Sequence, residues 1–574
     1  MIGIGLLIVI LLVLVALAPT LIGTPPVRSM IVGRVNNSIP GNIALDDLSL
    51  GWMSGMRISG LKVFDEQNAL ILEVPKFSTD LTLLKAIRGN LELGNTTADI
   101  NATRVIIDQN GVSNVERAFG LDQPKSDTEK APKSEEPKSE EPTELPNISG
   151  SIAINILGGT IEMPGTLPQA VHLQPGSIKA DIKNINEPIT KSGELGYRLG
   201  DAAPGTITWN GDLDIADNNI LDLAKLSGTE DLNVANVNLA PITAFLPKEQ
   251  KVQLEGIARA ALQLRGSGDD ASLNGSIDLA DLVVGGAPLN GDTYKTKSLS
   301  VPIRVSRVAS SSGGSKVRIE SLGAKSDDFS LDISGEVPET AMQNLAALKP
   351  PGDTGEIAVK LQVPGLANLV NQLPNTFKLA EGVKISEGVL NTTAQIALKP
   401  ESAAIAYDFA VSGNGTRDGK PVTLAPITLN LNGNVIPLGA EKVPQVSDVT
   451  LALKSNFANA DGSAKSIEAI NLNLGFDLAA MQKELGQFIE FTDLELNGTG
   501  KLALATKGDV TQMAQPIATT LDLNLQKLTV RRPNIPGGAQ DALANEDIRA
   551  QVVAAITLPE AGGYQADAQA LSVT

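Results

Sequence analysis

Apolar side chains recur at every second position in stretch after stretch of this chain, and that period constrains the fold more than any other feature. In Leu390, Thr392, Ala394, Ile396 and Leu398 one set is mostly apolar, while Asn391, Thr393, Gln395, Ala397 and Lys399 fall between them. Alternate residues share one face of a strand, so the segment reads as a strand with one wet side. The same alternation returns in Leu273, Gly275, Ile277 and Leu279, in Ile427, Leu429 and Leu431, and in Val449, Leu451 and Leu453. Ile470, Leu472 and Leu474 continue it, and Leu521, Leu523 and Leu525 close the series. Gly-, Asn- and Asp-rich stretches at residues 266–270 (GSGDD), 413–416 (GNGT), 432–434 (NGN) and 460–463 (ADGS) read as the intervening turns. Closely spaced strands of this kind predict antiparallel meanders.

Helical signals are few and short, over residues 81–87, 241–246, 366–373 and 478–488. Three of them open a repeated block in which polar residues, a glycine and an alternating strand follow the helix. Leu239 leads to Gly256, Leu366 to Gly388 and Leu478 to Gly500, the last two at the same interval. A unit that cannot bury its own apolar face must stack on its neighbours, so the 574 residues read as an extended repetitive body. A one-sided sheet needs a second layer, and the helices are too sparse to supply it. Two solutions stay open. Either two sheet halves cover each other in a sandwich or barrel, which the pattern alone favours, or the sheet curls into a trough whose lining meets an apolar ligand.

No charged residue occurs in residues 1–27, and residues 2–17 are almost continuously aliphatic, enough to span a bilayer. Ala16 and Ala18 resemble a signal-cleavage pattern, but Pro19 follows them and no basic residue precedes the run. An uncleaved anchor is therefore expected. Arg28 and Arg34 after the span would by charge bias keep the body cytoplasmic, yet long domains cross largely regardless of charge, and an extracytoplasmic body is expected. At residues 121–146 the sequence turns to LDQPKSDTEKAPKSEEPKSEEPTELP, a mixture of charge and Pro with no apolar period, predicted to be a disordered linker. The expected organisation is a transmembrane anchor (1–27), an N-terminal β module (28–120), the linker (121–146) and a repetitive β body (147–574).

The net charge of −19 carries no Lys/Arg cluster, which argues against a nucleic-acid surface and against a body lying flat on an anionic membrane. The absence of cysteine excludes disulfides, thiolate zinc sites and thiol catalysis. The one histidine, His172, sits between Val171 and Leu173 as a strand residue. Asp212, Asp214 and Asp217 lack the glycine and terminal glutamate of a calcium loop. Neither a GxxxxGK[ST] loop nor a GxSxG elbow occurs. The expectation is a non-enzymatic protein without cofactor or metal, with Trp52 and Trp209 as packing residues.

Residues 42–119 carry an ordered set of features. A strand over residues 43–50 precedes Trp52 and Gly55, and a second carries Ile58, Leu61 and Val63 and ends at Asp65. Leu72, Val74 and Phe77 lead into Leu81, Leu83 and Leu84; Gly89, Leu91 and Leu93 follow, and Val105, Ile107, Asp108, Gly111 and Asn114 close the block. Directly after an apolar N-terminal segment, this order resembles the N-terminal region of the AsmA-like family, the TamB-related bridge-like lipid transport proteins. The helix, glycine and strand blocks look like the middle regions of such proteins.

The resemblance implies an inner-membrane anchor through residues 2–22 and a periplasmic body. That body would be an elongated antiparallel sheet curled into a U-shaped trough with an apolar inner face. Phospholipid acyl chains would lie in it on the way to the outer membrane, with an unidentified partner there. The candidate lining is Leu273, Ile277, Leu279, Leu390, Ile396, Leu398, Leu429, Leu431, Leu451, Leu453, Leu472, Leu474, Leu521, Leu523 and Leu525. About thirty strands, roughly 4.8 Å apart, would reach on the order of 140 Å. The linker departs from the family pattern, and the sequence reaches Thr574 inside an alternating stretch, without a recognisable segment for an outer-membrane partner. Two other classes fit the same pattern: an assembly factor for outer-membrane β-barrel proteins that templates strands on sheet edges, and a structural surface protein.

Overall fold

In the computed structural model, residues 24–121, 148–217, 220–221, 227–246, 252–267, 270–309, 314–437, 445–466, 468–489, 495–508, 516–532, 540–557 and 565–573 are described. The expected span lies outside them as far as residue 23, and the expected linker from residue 122 onward. Among the described residues no helix is long and apolar enough to cross a membrane. The protein is mainly β. Twenty-six strands belong to one hydrogen-bonded sheet, and Ala216–Asp217 pairs separately with Ile220–Leu221. The chain forms two units, Met1–Ala280 and Asp281–Thr574.

In the first unit a helix, Pro25–Asn36, precedes the first expected strand, which is Asn42–Leu50. Strands Asn42–Leu50, Met56–Phe64, Leu70–Thr79 and Leu91–Ile106 then pair in sequence order. Val63, Ile71 and Ala118 form a small core at one end of these strands, with Ile43, Leu72 and Val115 packed around it. Ala118 belongs to the helix Asn114–Phe119, which begins with a reciprocal capping box between Ser113 and Glu116 and ends on the left-handed Gly120.

One pairing departs from the antiparallel expectation: Leu91–Ile106 and Ile148–Glu162 run parallel. A two-residue turn can only reverse a chain, whereas a parallel neighbour requires a crossover of a dozen or more residues. The two strands are separated in sequence by residues 107–147, a length that satisfies this requirement. From Ile148–Glu162 onward the described pairings of the unit are antiparallel.

In the second unit fourteen strands, from Thr293–Ala309 to Gln565–Val573, pair each with the next in antiparallel order. Three of the expected turns prove to be strand interiors. Residues 413–416 lie within Ala403–Arg417, 432–434 within Lys420–Ile436 and 460–463 within Ala458–Ala464. In the first two, glycines mark ladder irregularities instead, with register shifts at Val411/Gly413 and Asn432/Asn434, while Gly462 pairs regularly with Leu451 and Leu472. The real hairpin turn is Asp418–Gly419, both residues at positive φ (50° and 77°), with Arg417 paired to Lys420.

The helices sit at strand ends. The expected ones are Leu83–Ile87, a 3₁₀ turn Ala240–Phe245, Leu366–Gln372 and Leu478–Leu485. Glu339–Ala346, which carries no strong sequence signal, is added to them. In the second unit Leu366–Gln372 and Leu478–Leu485 occupy the same rim of the sheet, because each follows a strand running toward that rim. Glu339–Ala346 occupies the opposite rim.

Candidate functional site

Directly paired residues in a sheet point to the same face, so the register decides whether the alternating leucines of separate strands meet. In the second unit they do. One row runs Ile303, Leu322, Ile333, Val359, Ala394, Tyr407, Leu431, Leu451, Gly462, Leu472, Leu504, Leu521, Val552 and Leu571, one residue from each of the fourteen strands. The adjacent row runs Ala324, Leu331, Leu361, Thr392, Phe409, Leu429, Leu453, Ala460, Leu474, Leu502, Leu523, Ala550 and Val573. Neither row contains a charge. Between them along the strands lies a polar row on the other face: Asp332, Lys360, Thr393, Asp408, Asn430, Ala452, Asp461, Asn473, Ala503, Asp522 and Gln551.

Twelve of the fifteen candidate lining residues lie in this unit, and all twelve share the apolar face. Leu429, Leu431, Leu451, Leu453, Leu472, Leu474, Leu521 and Leu523 stand in the two central rows. Leu390 pairs with Val411, and Leu525 with Gly500. Ile396 and Leu398 sit nearer the margin. Leu398 is 4% exposed, in a cluster with Val337, Ala341 and Ala403, and Ile396 packs against it. The helix Glu339–Ala346 supplies Ala341 and Leu345 to that cluster, so Leu398 is sealed by protein while Ile396 stays half-buried beside it. Leu273, Ile277 and Leu279 belong to the first unit, half-buried on the strand Asp270–Gly285.

Burial separates the margins of the face from its middle. No leucine, isoleucine or valine of the two central rows is buried; they are half-buried, and Leu571 and Val573 in the last strand are 69% and 62% exposed. A second layer of protein over such leucines would exclude water from them, as it does from Leu398. At the other rim Leu366 covers the margin. A Cβ on Gly388, which shares the face of Leu390, would lie 3.1 Å from Leu366 Cδ2.

The first unit carries a similar row that the alternating pattern did not single out: Leu48, Ile58, Phe77, Ala98, Ile154, Ile178, Gly193, Trp209, Leu232 and Leu262. Trp209 lies over Gly193, where a Cβ would stand 2.1 Å from its Cζ2. Phe476 lies over Gly500 in the same way, at 2.2 Å. An aromatic ring covering a paired glycine was the one signal in these strands, and it needs the register to be read.

The repeated blocks act as rim braces. Asn371 of the helix Leu366–Gln372 donates to the Ile385 carbonyl (2.7 Å) and accepts from its N–H (2.9 Å), taking the place of a neighbouring strand. Gln482 of the helix Leu478–Leu485 accepts from the Leu496 N–H at 2.6 Å, and Asn36 clamps Ile43 by the same two-bond arrangement as Asn371. Behind the second helix block, Asn375 and Thr376 donate to Asp292, while Tyr294 and Asn368 donate to Asp328. Both carboxylates are nearly inaccessible, at 6% and 4%. Burial and the Asp328 charge raise the Tyr294 phenol above its ordinary value, keeping it a donor. The third block joins on: Ala380 N–H donates to the Phe488 carbonyl, Ala425 N–H to Glu484 and Arg417 to the Gly486 carbonyl. None of these polar braces was evident from spacing, since each links residues distant in sequence.

The described residues of the second unit thus offer a long apolar strip with protein at its margins. Among the described residues, no three His, Asp or Glu side chains gather as a metal site. Comparison with family models, curated proteins and solved structures returned no match.

Proposed function

We propose that this is an AsmA-like, bridge-like lipid carrier, held in the inner membrane by residues 2–22. Its periplasmic sheet is curled into a U-shaped trough that moves phospholipid toward the outer membrane or maintains that membrane. The observation that supports this most is the pair of adjacent apolar rows, one crossing all fourteen strands of the second unit and the other thirteen of them, uncharged and for the most part half-buried, backed by a polar face. An apolar strip that protein leaves accessible is the kind of surface an acyl chain covers.

The mechanism is passive. The two rows run about 7 Å apart, two residues along each strand, and the longer crosses thirteen inter-strand steps of about 4.8 Å, a path of roughly 60 Å. Acyl chains lie along the rows while head groups stay in water. Each methylene kept from water contributes about 0.8 kcal/mol, so a tail remains on the strip and slides between equivalent rows. The rim braces hold the strand ends in register so that the rows stay continuous.

A charge on the strip tests this. Leu451→Asp and Leu472→Asp in the full chain place an unpaired carboxylate under the tail, and co-purifying phospholipid, quantified by mass spectrometry, is expected to fall about tenfold. Asn473→Asp, on the polar face beside Leu472, is expected to keep it within about twofold. Equal loss from both faces, or a wild-type chain free of phospholipid, overturns the proposal.

A further inference from the structure

The hairpin loop of residues 51–55 is closed tightly at its base. Gly51 N–H donates to the Gly55 carbonyl at 3.2 Å, and Gly55 adopts φ 71° against the Thr79 carbonyl, where a Cβ would lie 2.2 Å away. The closure pushes Met53 outward, 84% exposed. Next to it the helix Leu83–Ile87 is tied on by the Leu84 N–H bond to the Trp52 carbonyl, and it presents Ile87 at 73% exposure with Leu84 three residues before it. Arg57 and Arg88, both exposed, flank the group. The set combines apolar tips, a tryptophan between them and a basic rim, the composition of side chains that sit at a bilayer interface.

Where the chain leaves the described structure identifies the occupant. The helix Pro25–Asn36 lies along the edge strand Asn42–Leu50, with Asn36 clamped to Ile43 and Arg28 bound to Asp47 at 3.1 Å. Eight helical residues rise about 12 Å, and four strand residues about 13 Å, so the helix runs antiparallel to the strand in step with it. Its N-terminus therefore points to the end of the strand that carries the 51–55 loop. The uncharged aliphatic stretch of residues 2–17 precedes that point.

We infer that the loop of residues 51–55 and the helix Leu83–Ile87 form a foot that rests in the surface of the same bilayer, inserting Met53, Leu84 and Ile87 among the lipid head groups. This rests on the proposed membrane anchor and adds to it a second, peripheral contact. A foot beside the anchor fixes the tilt of the first strands against the membrane and brings the start of the first unit's apolar row to the lipid surface.

The chain has no cysteine, so a single introduced thiol carries one environment-sensitive fluorophore. The full chain is reconstituted in phosphatidylethanolamine and phosphatidylglycerol vesicles containing a lipid spin-labelled near its head group. Labels at Met53→Cys and Ile87→Cys are expected to be quenched roughly twofold more than one at Asn110→Cys, exposed at the opposite strand ends, consistent with insertion about 5–10 Å deep. Ile8→Cys reports the anchor independently. Quenching at position 8 with labels 53 and 87 behaving like label 110 overturns the foot and spares the anchor. Quenching at 53 and 87 without quenching at 8 supports the foot and removes the anchor. A blue shift at 53 and 87 without lipid quenching means that a protein segment covers the patch, and also overturns the foot.

Discussion

Gly193 leaves the space that the Trp209 ring fills, and the pair continues an apolar row in which a bulky residue at either position would break the surface. Gly193→Ala drives a methyl group to 2.1 Å from the ring, so the ring must leave its place. Overpacking of this kind costs roughly 1–3 kcal/mol, seen as a lower unfolding midpoint with a red-shifted Trp209 emission. Gly388→Ala meets only the tip of Leu366 at 3.1 Å and is expected to cost less. Charge acts at the parallel pair. Arg104 forks onto Glu162 at 2.8 and 3.0 Å, and its hydrogen bonds hold the Glu162 carboxyl below the usual 4.5 against a smaller opposing effect of burial. A carboxylate with a depressed folded-state pKa stabilises above its unfolded value and loses that contribution as pH falls through the depressed one. Amide exchange along Ile148–Glu162 is therefore expected to accelerate on acidification below 4.5, and Arg104→Gln to remove that step. Of such residue-level features the sequence shows the leucines plainly. The glycines are legible only with the register, because a glycine in a turn and a glycine under an aromatic ring look alike: Gly462 reads as a turn and is a gap between Leu451 and Leu472.

Among the elements, Asn371 and Gln482 give the helices a purpose beyond covering apolar margin. Each supplies a side-chain amide to a strand backbone that is paired on one side only, Ile385 with Gly415 and Leu496 with Val530. Asn371→Ala leaves the Ile385 N–H and carbonyl without these partners, and a loss of about 1–2 kcal/mol is expected, read as faster amide exchange at Ile385 with the distant Leu496 amide unchanged. The starts of these helices were legible at Leu366 and Leu478, where the two-residue period stops. Their ends were not, since the following residues are fixed by buried contacts to Asp292 and to Phe488 that no local pattern encodes. The capping box Ser113–Glu116 was present in the sequence and announces the helix Asn114–Phe119. Asp418–Gly419 likewise announces its hairpin by the Asp-Gly turn.

At the scale of the molecule, the mainly β character and the one-sided alternation of the second unit were legible, because period two needs no partner to be visible, whereas the row of the first unit was not. Strand order was legible only where a hairpin makes it so. The parallel pairing of Leu91–Ile106 with Ile148–Glu162 was not legible, because the sequence between the two strands carries no signal for the direction of the second. What the register adds is continuity: leucines predicted strand by strand fall into two rows that no charge interrupts, with Leu398 set aside in the cluster under a helix. The central claim is that lipid occupies those rows. Photo-reactive residues placed one at a time at Leu431, Leu472 and Leu504, and at Asn430, Asn473 and Asp522 on the opposite face, test it in the full chain reconstituted with phospholipid vesicles. Phospholipid crosslinked to the first three positions and not to the second three is the predicted result; equal labelling of both faces, or capture of protein alone along the apolar rows, contradicts it.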